Sequence, residues 1–297
     1  MKLLIFISIA VFTISCQPKE KKINLLKSDS VNIDRVYIPI FDNENKEWSQ
    51  GFNYERFKEI ISKVTYDKNN FTLDPNEDEF PQNIKANLNT ADILNRMGEN
   101  QNKKANWNEI KGATGFESWT FYENDKIFRK KFEHWYPVRV YCQNGDENCD
   151  NPAKKLVFLI RNKEFKNIDT IAKHFIYKQS VFEDNLSTST NLDLQKFFAY
   201  VFKCIDKNEL TAYDPIYLVD KSRRKFDKAE VEKYNQIQLN DEKLPHEISD
   251  IIFDEDWIID KDNLSLKKIV NAIGFIRTTY DTASKKIVKK IMFFIVF

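Results

Sequence analysis

The sequence predicts an α+β fold built from two tandem related units, each a helix packed on a small and mainly antiparallel sheet. The main observation is an internal repeat. Trp119 is followed 20 residues later by Arg139, and Trp257 is followed 20 residues later by Arg277. A pair of basic residues lies between each Trp and its Arg, and a Lys-Lys pair after each Arg opens an apolar run. A recurring pattern of this size indicates one structural unit that is present twice.

A helix is predicted ahead of each of these blocks, because apolar residues recur there at helical spacing. The two apolar sets match at an offset of 140: Phe57, Ile60, Ile61 and Val64 in the first, and Phe197, Tyr200, Val201 and Cys204 in the second. Each helix is followed by an Asp-Pro step, at residues 74–75 and 214–215. Proline blocks the turn before it, so each helix should end ahead of that step.

Strands are predicted on both sides of each helix. Apolar runs predict a first strand at residues 36–41 in one unit and at residues 175–182 in the other. The Trp and Arg residues of the repeat fall in later strands, where Arg points away from its apolar neighbours. The run that closes each unit is apolar on both faces, which favours a central position in a sheet.

Polar stretches separate the predicted helices and strands. Residues 76–104 are predicted to be a loop, and residues 219–243 a second loop with a short helix at residues 227–234. The organisation that follows has a first unit, a link and a second unit, at residues 31–161, 161–171 and 172–297.

The N-terminus has the pattern of an export signal. Lys2 precedes an almost wholly apolar run at residues 3–14, and Cys16 follows directly after Ser15. These features are typical of a bacterial lipoprotein signal that is cleaved before its cysteine. We therefore predict a signal at residues 1–15, a lipid anchor at Cys16 and a solvated tether at residues 16–30. The alternative is an ordinary cleaved signal in which Cys16 has no role.

Two of the other cysteines flank a polar loop between predicted strands. Cys142 and Cys149 are close enough in sequence for a hairpin disulfide, which the oxidising conditions of an exported protein would permit. Two free thiols near a turn are the other interpretation, and both stay open. Cys204 has apolar neighbours on a helix and is predicted to be a small buried core residue.

No pattern in the chain indicates a catalytic or metal site. The three histidines have no metal-ligand spacing, and neither a nucleophile motif nor a glycine-rich phosphate loop is present. Asp254, Glu255 and Asp256 could be paired catalytic carboxylates, but a solvated turn before a strand is the favoured interpretation. With a net charge of +1, the chain lacks the excess of positive charge that is typical of proteins that bind nucleic acid. We predict no catalytic residue, no metal and no cofactor.

Six repeated residues are candidates for an interface or for anchoring the core: Trp119, Trp257, Arg139, Arg277, Glu117 and Glu255. An arginine could bind a carboxylate or phosphate ligand, but an internal ion pair is favoured, with Glu117 and Glu255 or with Glu109 and Glu247. The tryptophans could stack on a sugar or fill an interface pocket, but packing in the core is favoured.

The last third of the chain carries a series of motifs in a recognisable order. These are the helix at residues 194–205 with Leu-Thr-Ala-Tyr-Asp after it at 210–214, the Pro-His-Glu-Ile step at 245–248, the acidic and Trp-containing segment at 255–260 and the Met-Phe-Phe strand at 292–294. In these motifs the chain resembles the GldN/PorN family of the gliding-motility and type IX secretion machinery of Bacteroidetes.

The resemblance implies a periplasmic structural subunit that sits in a ring beneath the outer membrane, binds a separate lipoprotein and has no catalytic residues. This chain departs from the family in having a lipid-anchor signal of its own and in lacking the family's Trp- and Arg-rich N-terminal segment, since Trp48 stands alone. The prediction is therefore a lipid-anchored assembly component with protein partners in the cell envelope, on the periplasmic face of the outer membrane. The alternative is a surface lipoprotein that binds a glycan or peptide, and the oligomeric state stays open.

Overall fold

The computed structural model describes residues 34–39, 51–63, 72–73, 86–87, 93, 107–122, 125–142, 153–180, 194–217, 224–282 and 285–297. The backbone alone is described for β1, defined below. The predicted signal, the tether and Cys16 lie outside these residues, as do Val64 and most of the predicted loop at residues 76–104.

Within the described residues the chain forms three α-helices: α1 (Tyr54–Lys63), α2 (Leu194–Asp206) and α3 (Lys228–Asn235). The strands in the first part are β1 (Asp34–Pro39), β2 (Thr72–Leu73), β3 (Ala86–Asn87), β4 (Ile110–Tyr122), β5 (Ile127–Tyr141), β6 (Ala153–Leu156) and β7 (Ile160–Arg161). The strands in the second part are β8 (Ile168–Ser180), β9 (Ala212–Tyr213), β10 (Lys225–Phe226), β11 (Ile248–Asp260), β12 (Leu266–Asp281) and β13 (Lys286–Val296). Short 3₁₀ turns at Trp107–Glu109 and Leu244–Glu247 lead into β4 and β11.

The strands form two main antiparallel sheets. The first sheet has the order β1-β4-β5-β6, with β7 also paired to β5. The second sheet has the order β10-β9-β13-β12-β11-β8, and β2 and β3 form a separate pair. The final strand β13 therefore has a strand on both sides at Phe294 and Ile295, so this end of it is central as predicted, whereas the corresponding β6 lies at the end of its path.

The two long hairpins, β4–β5 and β11–β12, have the same register. Ile110 pairs with Arg139, and Ile248 pairs with Arg277. Every further residue pair of the first hairpin, as far as Phe121 with Phe128, has a counterpart in the second hairpin 138 residues further along the chain. The register shifts in the two hairpins also fall at matching positions. The repeat seen in the sequence is thus a repeat of hairpin geometry.

The predicted fold class, two tandem α+β units each with a helix on its own sheet, is wrong. Most of the regular structure is strand, in several antiparallel sheets. The helices do not divide between the sheets: Phe197 of α2 packs on Phe128 of β5 and on Phe275 of β12, with ring centroids 5.5 and 6.4 Å apart. The same phenylalanine therefore helps to cover both hairpins.

Helix α1 also contacts both sheets. Its Phe57 ring lies 6.1 Å from that of Trp135 in β5, while its Arg56 forms an ion pair with Asp169 in β8. Trp135 itself donates a hydrogen bond of 3.0 Å to the carbonyl of Leu264, which lies between β11 and β12. Burying the apolar faces of the hairpins against each other and under shared helices gives one continuous core, which favours this arrangement over two separate units.

The local predictions agree better with the structure. Strand β1 overlaps the predicted run at residues 36–41, and β8 begins at Ile168, inside the predicted link. Helix α3 begins directly after Asp227, whose side chain accepts from the backbone N–H of Glu230 while the Glu230 carboxylate accepts from the N–H of Asp227. This reciprocal cap satisfies two helix-end donors. None of the helices in the described part of the chain has the length and apolarity needed to cross a membrane.

Candidate functional site

Four charged side chains meet in the middle of the core. Lys130 of β5 lies 2.8 Å from a carboxylate oxygen of Glu255 in β11, and Lys268 of β12 lies 2.8 Å from a carboxylate oxygen of Glu117 in β4. All four side chains are at most 1% exposed. We call these four residues the charge cluster. Each lysine binds most closely to the glutamate of the other hairpin, so the cluster joins the two sheets.

The hairpin register explains how each lysine reaches this position. Trp119 faces Lys130 across the first hairpin, and Trp257 faces Lys268 across the second. Each tryptophan donates its indole N–H to the glutamate two residues before it, at 2.7 Å to Glu117 and 2.9 Å to Glu255. Side chains two apart on a strand share a face, so glutamate and tryptophan point into the core together.

Aromatic rings surround both ammonium groups. The Nζ atom of Lys130 lies 4.6 Å from the ring centroid of Trp119, and that of Lys268 lies 4.5 Å from the centroid of Trp257. Phe253 and Phe132 provide a second ring for Lys130 and Lys268, respectively. The negative faces of these rings attract a cation, which offsets part of the cost of removing it from water.

Tyr177 of β8 makes the two halves of the cluster unequal. Its hydroxyl donates to Glu255 at 3.0 Å and accepts from Lys130 at 2.7 Å, with Lys268 at 3.4 Å. Burial, followed by the charge of Glu255, raises its pKa well above the usual value, so the phenol stays protonated. The matching register position in the first sheet, opposite Gly115 on β1, holds Val36. The tyrosine therefore provides an additional hydrogen-bond link on one side only.

Burial affects the two charge types in the cluster differently. It lowers the pKa of Lys130 to about 8, because loss of hydration outweighs the attraction of Glu117 and Glu255 and the nearby Lys268 adds repulsion. Burial alone would raise the pKa of Glu117, but the two lysines and the N–H of Trp119 outweigh it, and the pKa falls below the usual value. Both pKa values are lowered, but the charged form is favoured for Glu117, which lies between two cations, and disfavoured for Lys130, which also has a cation as a neighbour. The cluster as a whole has two positive and two negative charges.

This geometry suits a structural role for the charge cluster. Its carboxylates are already engaged by ammonium, indole and phenol groups, and no side of it is open to solvent. A buried network of this kind depends on every partner being present, because removing one leaves an uncompensated charge in the core. It can therefore select one relative position of the two hairpins.

The sequence interpretation found half of this cluster. Glu117 and Glu255 were identified as ion-pair candidates, but their partners are Lys130 and Lys268 rather than the arginines. The two lysines were recognised only as basic steps within the repeat. The signal that could have assigned the lysines to the core is their spacing along the sequence, which is the same from Trp119 and from Trp257. A lysine directly across a hairpin from a buried Trp must enter the same core. Both tryptophans are in the core, 5% and 0% exposed.

The arginines form the second pair of ion pairs considered from the sequence. Arg139 binds Glu109, and Arg277 binds Glu247 at 2.6 Å. Both pairs link a 3₁₀ turn to the second strand of the hairpin that follows it. Arg277 also donates to the backbone carbonyl of Asn235 at the end of α3.

A cleft of about 350 Å³ lies beside Arg277. Its lining combines two aliphatic side chains with amide, carboxylate and guanidinium groups: Glu232, Gln236, Ile237, Gln238, Asp241, Leu244, Glu247 and Arg277. A cleft of this size and polarity could accept a small polar group or a side chain.

The acidic run before Trp257 is not the solvated turn that the sequence favoured. Asp254 lies within β11 and is fully buried, where it contacts Nδ1 of His174 at 3.1 Å and accepts from the hydroxyl of Tyr217 at 3.0 Å. His174 and Lys173 face Asp256 as a bulge in β8, and His174 has a φ of 51°. The bulge directs the imidazole onto the buried carboxylate and leaves its side chain 44% exposed.

The cysteines occupy two kinds of environment. Cys142 takes part in a disulfide, while Cys149 lies outside the described residues, so their pairing with each other stays a prediction. Cys204 is a free thiol, 2% exposed within α2, in agreement with its predicted place in the core. Burial raises the pKa of this thiol, so the reactive thiolate is disfavoured.

The described residues contain no group of three side chains suited to hold a metal ion. The structure thus brings Glu117, Trp119, Glu255 and Trp257 together in one buried cluster and places Arg139 and Arg277 in separate ion pairs.

No protein-family model and no curated protein matches this chain.

Proposed function

We propose that this chain is a non-enzymatic, lipid-anchored structural or assembly component of the type IX secretion or gliding-motility machinery, on the periplasmic face of the outer membrane. The observation that carries the proposal is that the repeated residues Glu117, Lys130, Glu255 and Lys268 form buried ion pairs that hold the two hairpins together. Such a network produces a rigid body of defined shape, which is what a scaffold needs in order to present surfaces to partners.

Two features of the sequence support the cellular setting. The signal pattern ending at Cys16 supports export and lipid anchoring. The ordered motifs between residues 194 and 297 support a relationship to the GldN/PorN family. In the structure, Trp257 of the most distinctive of these motifs is a core residue that donates to Glu255. A structural part for this motif is in keeping with the proposed role.

A lipoprotein that binds a glycan or peptide is the second candidate, and the cleft beside Arg277 is the observation in its favour. The tryptophans do not support it, because Trp119 and Trp257 are buried and offer no exposed ring for stacking on a sugar. A peptide side chain reaching the carboxylates of Glu232 and Asp241 would suit the cleft better than a sugar ring.

The proposal is tested by crosslinking and affinity purification of the tagged chain from the native cell envelope. We expect enrichment of subunits of the secretion or gliding machinery, and loss of that enrichment with Cys16→Ala, because the unanchored protein leaves the membrane surface. A strain with the tag on another outer-membrane lipoprotein is the control for abundance. Recovery of the chain without any such subunit would reject the proposal.

A further inference from the structure

Among the described residues, the first half of β13 has a paired strand on one side only and forms an open sheet edge. Residues 286–290 pair on one side with β12, where Tyr280 faces Ile287 and Thr279 faces Val288. On the other side β9 meets β13 only at Phe294 and Ile295. No strand of the described chain therefore pairs with the outer side of residues 286–290. Unpaired backbone N–H and C=O groups along such an edge are a template for another strand.

This open edge carries exposed apolar side chains. Ile287 is 71% exposed, its cross-strand neighbour Tyr280 is 61% exposed, and Val288 is 41% exposed. The other half of β13 is buried, with Met292 and Phe293 at 0%. A single exposed apolar residue is ordinary on a protein surface, but here Ile287 and Tyr280 adjoin each other across β13 and β12 on one face of the sheet, and Val288 is exposed on the opposite face, so apolar surface flanks the edge on both sides.

The charge around the edge indicates what kind of partner it fits. Lys285 and Lys286 are exposed and form no ion pair within the described chain. Lys289 is engaged by Asp250 at 2.9 Å, and the ammonium of Lys290 lies over the ring of Tyr234. Antiparallel pairing of this segment with a second copy, in the register centred on Val288, would place Lys286 opposite Lys290, and like charges in facing positions are destabilising. An acidic strand would instead be attracted.

We propose that residues 286–290 of β13 dock an extended segment of a partner protein in which acidic and apolar side chains alternate. The segment would add a strand next to β13, with backbone hydrogen bonds providing affinity and Ile287, Val288 and the lysines providing selectivity. This surface rests on the proposed assembly role, since it names where a partner binds. The docking itself does not depend on which machinery supplies that partner.

The test uses a fluorescein-labelled octapeptide of alternating Glu and Val with the purified full chain. We expect the Glu-Val peptide to bind about tenfold more tightly than a Lys-Val peptide, a difference that shrinks at high salt. Hydrogen exchange should slow at residues 286–291 when the Glu-Val peptide is bound, because their outward amides become hydrogen-bonded.

Two variants locate the binding surface. Ile287→Glu should weaken Glu-Val binding by about tenfold, since it places a like charge on the edge. Ile168→Glu is the matched control, because Ile168 is also an exposed isoleucine, 59% exposed on β8. This variant should bind the Glu-Val peptide as tightly as the unchanged chain does. Equal binding by both peptides, an equal effect of both variants, protection of another strand or no binding would each overturn the proposal. A concentration-dependent dimer lost with Ile287→Glu would overturn it in favour of a second copy. Because the probe is synthetic, none of these results depends on the secretion machinery.

Discussion

At the residue scale, Lys130 is a charge whose burial is costly. Its side chain is fully enclosed, and its pKa falls to about 8, which means that burial disfavours its charged form despite two glutamates. The contacts of the ammonium with Glu255, the hydroxyl of Tyr177 and the ring of Trp119 are what make this position tolerable. The contribution of Lys130 to the stability of the folded protein therefore depends on these partners.

We expect Lys130→Met to destabilise the protein by about 3–5 kcal/mol, because Glu255 is left buried with its closest cation removed. Lys130→Met combined with Glu255→Gln should cost much less than the sum of the two single changes, since the double variant restores equal numbers of buried charges. Urea unfolding followed by circular dichroism measures each free energy.

Lys63→Met is the matched control for this cycle. Lys63 pairs with Glu59 on the surface of α1, and its side chain is 71% exposed. A lysine in such a pair contributes about 0–1 kcal/mol. Additive effects of Lys130→Met and Glu255→Gln would show that the two residues are not coupled and would contradict the geometry of the cluster.

The lowered pKa of Glu117 predicts how the free energy of unfolding depends on pH. Its pKa in the folded protein lies below the unfolded value of 4.5, since the attraction of Lys130 and Lys268 exceeds the effect of burial. The unfolded chain therefore takes up this proton first as the pH falls, and the stability contributed by the carboxylate is lost progressively below about pH 4.5.

The unfolding free energy of the natural protein should fall more steeply between pH 5 and pH 3 than that of Glu117→Gln, which has no carboxylate to titrate at this position. Urea midpoints at several pH values measure both slopes. If Glu117→Gln does not fold, Glu117→Gln with Lys268→Met removes one charge of each sign and provides the comparison. Parallel slopes would show that Glu117 titrates alike in the folded and unfolded states.

At the scale of elements, the helices follow from local sequence. Apolar spacing placed α1 and α2, and the polar stretch around residue 230 indicated α3, whose Asp227 cap is a local hydrogen-bond pattern. The bulge at His174 could not be foreseen, because a bulge depends on the strand it faces. It follows from the pairing of β8 with β11, in which two residues of β8 oppose Asp256.

The assignment of one helix to each sheet was wrong because sequence spacing does not show which face of a helix meets which sheet. Phe197 was placed correctly on a helix, but its ring contacts Phe128 and Phe275 from different hairpins. An amphipathic helix covers whichever apolar surface is exposed next to it. In this chain the available surface is shared by the two sheets.

At the scale of the whole molecule, the hairpins are parts of one core. The indole of Trp135 in the first sheet bonds to Leu264 in the second, the rings of Trp119 and Phe253 are 5.1 Å apart, and the charge cluster takes one lysine and one glutamate from each hairpin. Neither hairpin can separate without exposing this apolar surface and leaving buried charges without their partners.

We therefore expect one cooperative unfolding transition. Tryptophan fluorescence and far-ultraviolet circular dichroism should give the same midpoint in urea, because both hairpins lose their structure together. Lys130→Met should move the two curves by the same amount. Two transitions with different midpoints, or a shift confined to one probe, would indicate that the hairpins fold as independent units.

The sequence by itself determined the repeated residues, their offset of 138 and the positions of the helices, because these depend on local spacing and on neighbours along the chain. Only the tertiary structure decided the partners. Glu117 and Glu255 bind lysines across the sheet interface, and the arginines bind Glu109 and Glu247, although spacing allowed either pairing. The physical reason is that contacts between hairpins are set by how their apolar faces pack, and that packing brings the opposite charges of separate hairpins within 2.8 Å.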